Sequence, residues 1–130
     1  MILGVGIDIC DLKRIEKKVK KLDAHFYKYI LTENEIKQSK TIKNFILYLT
    51  IRFAAKEAFY KAFALPTQKF LVWKDIEILN KNKKQYKVNL SLKVKKYFEE
   101  FLPLKSKYNI LCSFTYNKNI VICNTLISYY

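Results

Sequence analysis

Residues 2–9 alternate without a break: Leu3, Val5, Ile7 and Ile9 take one side, and Gly4, Gly6 and Asp8 take the other. A period of two predicts a β-strand. Asp11 then stands where a helix N-cap belongs. Leu12, Ile15, Val19 and Leu22 follow at helical spacing, with Lys13, Arg14, Lys17, Lys20 and Lys21 on the opposite face. Thr32-Glu33-Asn34-Glu35 has the capping-box pattern, which predicts a short helix starting there. From 43 to 63 the chain contains neither Gly nor Pro, and Pro66 closes the run. This stretch predicts a long central helix, apolar around most of its circumference and therefore largely buried. Its polar exceptions, Arg52, Lys56, Glu57 and Lys61, are the informative residues. Strand-like runs at 70–79 and 86–91 come next, then an amphipathic helix at 92–102 and strands at 108–115 and 120–127. The turn at 116–119, Tyr-Asn-Lys-Asn, suits a hairpin. This order predicts an α+β fold, with a mostly antiparallel sheet packed on the long central helix. At 130 residues, with no linker or repeat, the chain reads as a single domain, 1–130.

Composition narrows the class. About half of the residues are apolar, which excludes disorder, while lysines interrupt every stretch that approaches membrane-spanning length. Met1 leads directly into the strand with no basic segment before it, so no signal peptide is expected. Cys10, Cys112 and Cys123 are odd in number and lack metal-ligand spacing; they read as reduced thiols of a cytoplasmic protein. The net charge of +14 favours a polyanionic partner: nucleic acid, an anionic membrane, a phosphorylated ligand or an acidic protein. Arg14 and Arg52 are the only arginines among 25 basic residues. Arginine's planar fork suits phosphate and carboxylate in a way that lysine does not reproduce.

Two acids stand in unusual places. Asp8 shares its strand face with two glycines, where a side chain or ligand can approach closely. Its simpler reading is a cap or turn acid at the strand's end. Glu57 lies in the middle of a nearly all-apolar helix, where an unpaired carboxylate is costly. Its simpler reading is an ion pair with Lys61 one turn on.

The run Gly4-Val5-Gly6-Ile7-Asp8-Ile9, continuing to Arg14-Ile15, resembles the opening signature of the holo-acyl-carrier-protein synthases, a phosphopantetheinyl transferase family. Arg52-Phe53-Ala54-Ala55-Lys56-Glu57-Ala58-Phe59-Tyr60-Lys61-Ala62 resembles their second signature. Leu31 to Glu35 and Trp73 to Ile78 are further matches, all in order. The resemblance implies transfer of 4′-phosphopantetheine from coenzyme A to a serine of an acyl carrier protein, with release of 3′,5′-ADP, in fatty acid biosynthesis. It implies magnesium, or manganese in its place, held by Asp8 and Glu57, with Lys61 offering charge to the phosphates. Arg52 and Lys56 would serve the nucleotide's phosphates, with solvated cations as the simpler reading. Arg14, with Lys13, Lys17 and Lys21, would dock the acidic carrier protein. A homotrimer with coenzyme A sites between subunits is also implied, for which the apolar strands 108–115 and 120–127 could supply an interface, and neither nucleic acid nor membrane is an expected partner.

This chain departs from the family pattern in three places. Ala64-Leu65-Pro66-Thr67 replaces a glycine-rich ligand loop, and Lys84-Gln85-Tyr86 replaces a Gly-Lys-Pro turn. In Ser113-Phe114-Thr115-Tyr116, Tyr116 takes the place of a histidine that is a candidate general base; the chain's sole histidine, His25, reads as a surface residue. Tyrosine, with an ordinary pKa of about 10, is a poor base at neutral pH, so a solvent-derived base is expected instead. Two other classes stay open on the sequence: a degenerate paralogue that binds coenzyme A or carrier protein without transfer, and a basic nucleic-acid-binding module.

Overall fold

The computed structural model describes residues 1–63, 72–82 and 85–130. Strand β1 (Ile2–Asp11) leads into three helices, α1 (Leu12–Leu22), α2 (Ala24–Ile30) and α3 (Glu33–Ser39), and then into the long α4 (Phe45–Ala62). Strands β2 (Ile76–Asn80) and β3 (Tyr86–Leu90), helix α5 (Leu92–Phe101) and strands β4 (Tyr108–Tyr116) and β5 (Ile120–Tyr129) complete the chain. The sheet is antiparallel, in the order β1-β5-β4, and β2 and β3 pair as a separate antiparallel ribbon. This is the expected α+β arrangement, with the sheet lying on the long helix.

Gly4 and Gly6 decide how helix and sheet meet. A Cβ at Gly4 would lie 1.8 Å from the carbonyl oxygen of Ala62, and one at Gly6 would lie 1.9 Å from that of Ala58. The α4 backbone therefore rests directly on β1, with small buried alanines completing the contact. The glycine face of β1 is consequently the inner one. Val5, Ile7 and Ile9, the apolar side of the alternation, point outward and are more than half exposed. Gly6→Ala is expected to cost about 3 kcal/mol in urea unfolding, the upper end of the usual range for overpacking, because the obstacle is backbone and cannot rotate away. A loss below about 1 kcal/mol would show that the helix slides freely on the strand.

The core continues away from β1 through aromatic contacts. Phe63 packs on Phe98 of α5 at 4.8 Å between ring centroids, and Phe98 stacks on Tyr108 of β4 at 4.5 Å. At the other end, Asn117 closes the β4–β5 hairpin by accepting from the Asn119 and Ile120 amides. The Leu12 amide donates to the Asn119 carbonyl and ties this hairpin to the start of α1.

The structure differs from the sequence expectation in two elements. Within the run expected as a strand from 70 to 79, Trp73–Asp75 form a 3-10 turn and the strand begins at Ile76. The Val72 amide donates to the Asp75 carboxylate, and Trp73 stacks on Phe53 of α4 at 4.9 Å, so the chain is bent before it extends. Helix α2 was not expected: at seven residues it spans too few turns to show a period, and Asp23 before it has φ 52° and no side-chain cap bond. The expected helix closure at Pro66, the loop at 64–67 and Lys84 lie outside the described residues.

Candidate active site

Asp8 sits in the middle of β1, opposite Cys123 of β5, and is a strand residue with its side chain on the inner face; the cap is Asp11. Lys61 Nζ, from the last turn of α4, donates to Asp8 Oδ1 at 2.8 Å and to the Ile7 carbonyl at 3.0 Å. The helical pair anticipated between Glu57 and Lys61 is thus replaced by a bond across to the strand. Glu57 lies one turn before Lys61, half-buried. Burial first, and the negative charge of Asp8 second, hold its carboxyl above the ordinary value of 4.5; Lys61 and Arg14 pull in the opposite direction. Asp8, Glu57, Lys61 and Arg14 therefore feel one another as a single cluster on the surface where β1, α1 and α4 meet.

Two carboxylates that repel each other, one of them partly desolvated, make a poor closed metal cage but fit a magnesium ion that keeps waters and takes substrate phosphates as its remaining ligands. Among the described residues, no group of three or more His, Cys, Asp or Glu side chains could hold a metal ion. The raised Glu57 carboxyl has a testable consequence. Between 4.5 and its raised value the folded protein binds more protons than the unfolded chain, so this stability is present below 4.5 and lost as pH rises through the folded value. Without metal, the melting temperature is expected to fall across that window less steeply in Glu57→Gln than in the unsubstituted protein. Parallel curves would remove the cluster as the source.

Helix α1 presents its basic face beside the carboxylates. Asp11 caps it by accepting from the amides of Lys13, at 2.8 Å, and Arg14, at 3.3 Å. The Arg14 guanidinium lies 6.0 Å from the Phe53 ring centroid. Asp11, Lys13, Arg14, Lys17 and Lys18 line an open cavity of about 520 Å³. Lys18 belongs to this surface although the sequence reading passed over it, and the exposed Lys21 lies outside the lining.

Arg52 and Lys56 are placed elsewhere. Both are buried, at 1% and 0% exposure, and neither is a solvated cation. Arg52 donates to the Ile78 carbonyl, Asn80 Oδ1 and Gln38 Oε1, with its guanidinium 3.8 Å from the centre of the Tyr48 ring. Lys56 Nζ donates to Glu35 Oε1 at 2.6 Å and to the Ile30 carbonyl at 2.7 Å. The expected role on the nucleotide's phosphates is not what these side chains do here: they bind α3 and β2 to α4, because their partners fold over that side of the helix. Glu35 is the residue that the sequence reading undervalued. It closes the capping box by accepting from the Thr32 amide, and it is also fully buried against Lys56 and the Ile78 amide. Tyr116 is more than half exposed at the end of β4, and His25 is exposed on α2, as expected.

The profile of the 4′-phosphopantetheinyl transferase superfamily matches residues 4–115. A holo-[acyl-carrier-protein] synthase of Listeria monocytogenes is 34% identical over 129 residues, 98% of each chain. The crystal structure of the holo-[acyl-carrier-protein] synthase from Neisseria meningitidis superposes with a TM-score of 0.87 at 28% identity, covering 98% of this chain and 99% of that one. The corresponding synthase of Bacillus anthracis, solved in complex with CoA (3′,5′-ADP), superposes with a TM-score of 0.76 at 30% identity, over 98% and 96% of the two chains. With both signatures inside the matched region and the fold shared end to end, the chain belongs to the holo-[acyl-carrier-protein] synthase family of 4′-phosphopantetheinyl transferases.

Proposed function

We propose that this enzyme transfers 4′-phosphopantetheine from coenzyme A to the serine of an apo-acyl carrier protein and releases 3′,5′-ADP, as a cytoplasmic step of fatty acid biosynthesis. The observation that carries the reading is the pairing of Asp8 and Glu57 beside Lys61 and Arg14, an arrangement of charges suited to a pyrophosphate. Asp8 and Glu57 would hold magnesium, which when bound neutralises charge on the phosphates and orients the β-phosphorus. Lys61 is half-exposed, so its ammonium can serve Asp8 and a phosphate oxygen together. The basic face of α1 opens beside the carboxylates, so an acidic carrier steered to Lys13, Arg14 and Lys17 arrives with its serine near the reacting centre. The crystal complex of the Bacillus anthracis relative with CoA supports coenzyme A as the donor.

The reading includes a homotrimer. The outer face of the sheet leaves Val5, Ile7 and Ile9 of β1 and Leu111 of β4 more than half exposed, an apolar surface suited to burial against other copies.

The test is intact mass spectrometry of an apo-acyl carrier protein incubated with this protein, coenzyme A and magnesium, beside an EDTA control. A gain of one phosphopantetheine that EDTA abolishes is expected. No gain with several carriers, from folded protein, would favour a paralogue that binds without transferring.

A further inference from the structure

Cys112 and Cys123 are diagonal neighbours on the inner face of the sheet: Cys112 pairs with Thr125, and Cys123 pairs with Phe114. Their sulfurs lie 3.5 Å apart and share a hydrogen bond. A disulfide holds its sulfurs at about 2.05 Å, so the two must close the difference for a bridge to form. The two thiols differ in access. Cys123 is fully buried, whereas Cys112 is partly exposed and lines an open cavity of about 350 Å³ with Lys81, Gln85, Tyr86, Ile110 and Leu111.

We infer that Cys112 and Cys123 form a modification site, in which Cys112 attacks a small-molecule disulfide entering that cavity and Cys123 resolves the product into an intramolecular bridge. In the first step the Cys112 sulfur bonds to one sulfur of the reagent, the reagent's S–S bond breaks, and the departing thiolate takes up the proton Cys112 has lost. In the second, Cys123 attacks the Cys112 sulfur and expels the other half of the reagent, which takes up the Cys123 proton. Two electrons pass from the protein thiols to the reagent, which leaves as two thiols.

The surroundings favour Cys112 as the attacking group. The hydrogen bond shared with Cys123, a hydrogen bond with Thr125 and the charge of Arg52 outweigh burial and draw the Cys112 thiol below its usual range. Cys10 is the internal contrast: it is buried, and its sulfur lies against the Asp11 carbonyl and not within hydrogen-bond reach of another thiol.

The experiment treats the full-length protein with oxidised glutathione, blocks remaining thiols with iodoacetamide, and maps peptides after trypsin. Lys118, exposed between the two cysteines, lets trypsin separate their peptides. The expected product has lost two hydrogens, carries a Cys112–Cys123 link that dithiothreitol reverses, and keeps Cys10 alkylated. Cys123→Ser is expected to stop at a glutathione adduct on Cys112. A persistent adduct on Cys112 in the unsubstituted protein, three free thiols, or equal oxidation of Cys10 would overturn the inference. The unsubstituted protein alone decides the outcome if the variant does not fold.

Discussion

Asp8→Asn and Glu57→Gln are each expected to lower kcat/KM for carrier-protein modification by about 10³-fold, or about 4 kcal/mol of transition-state stabilisation. Both substitutions keep the size of the side chain and its place in the fold. In Asp8→Asn the amide oxygen can still accept from Lys61 Nζ, so the strand-to-helix bond survives while the negative charge is lost. In Glu57→Gln, a group whose charged form burial and Asp8 both disfavour is made permanently neutral, so the apo protein loses no folding stability above pH 4.5. The pair of measurements therefore separates chemistry from folding: activity collapses while the melting temperature holds. In each variant the magnesium concentration for half-maximal rate should also rise. Turnover close to that of the unsubstituted protein in either variant would remove that carboxylate from the metal site. A parallel fall in melting temperature would assign it to the fold.

The candidate site was legible because its residues are misfits in their own segments: an acid on a glycine-bearing strand face, and another inside an apolar helix. The alternation of β1 identified a strand but not which side is inward, since period two is the same viewed from either face. The decision came from α4, whose backbone can lie only against glycine. Arg52 and Lys56 misled for a related reason. Helical spacing places them near Glu57 in sequence, but their surroundings are set by Ile30, Glu35, Gln38, Ile78 and Asn80, residues that reach them only through tertiary packing. Helix α2 left too little local signal because its start is fixed by backbone geometry at Asp23 and not by a capping side chain.

The buried pair behind the site is expected to carry the largest effect on stability. Glu35→Ala leaves the Lys56 ammonium, at 0% exposure, with the Ile30 carbonyl as its remaining bonded partner and strips the Ile78 and Thr32 amides of their acceptor. Breaking one side of a buried ion pair typically costs about 3–5 kcal/mol, because the survivor is a desolvated charge. Removing both charges together, in Glu35→Leu with Lys56→Met, is expected to cost less than Glu35→Ala, since no orphan ion remains. The pH dependence gives the sign. Burial already lowers Lys56 from its ordinary 10.5, and losing Glu35 removes the charge that opposes this shift. Between the lowered value and 10.5 the unfolded chain holds more protons than the folded one, so stability rises with pH there. Glu35→Ala should therefore recover part of its deficit, relative to the unsubstituted protein, as pH climbs toward 10.5. Urea titrations at neutral and alkaline pH measure both effects. A deficit that stays constant with pH would mean that Lys56 remains charged without Glu35, held by the Ile30 carbonyl and water, and that the loss comes from the two orphaned amides.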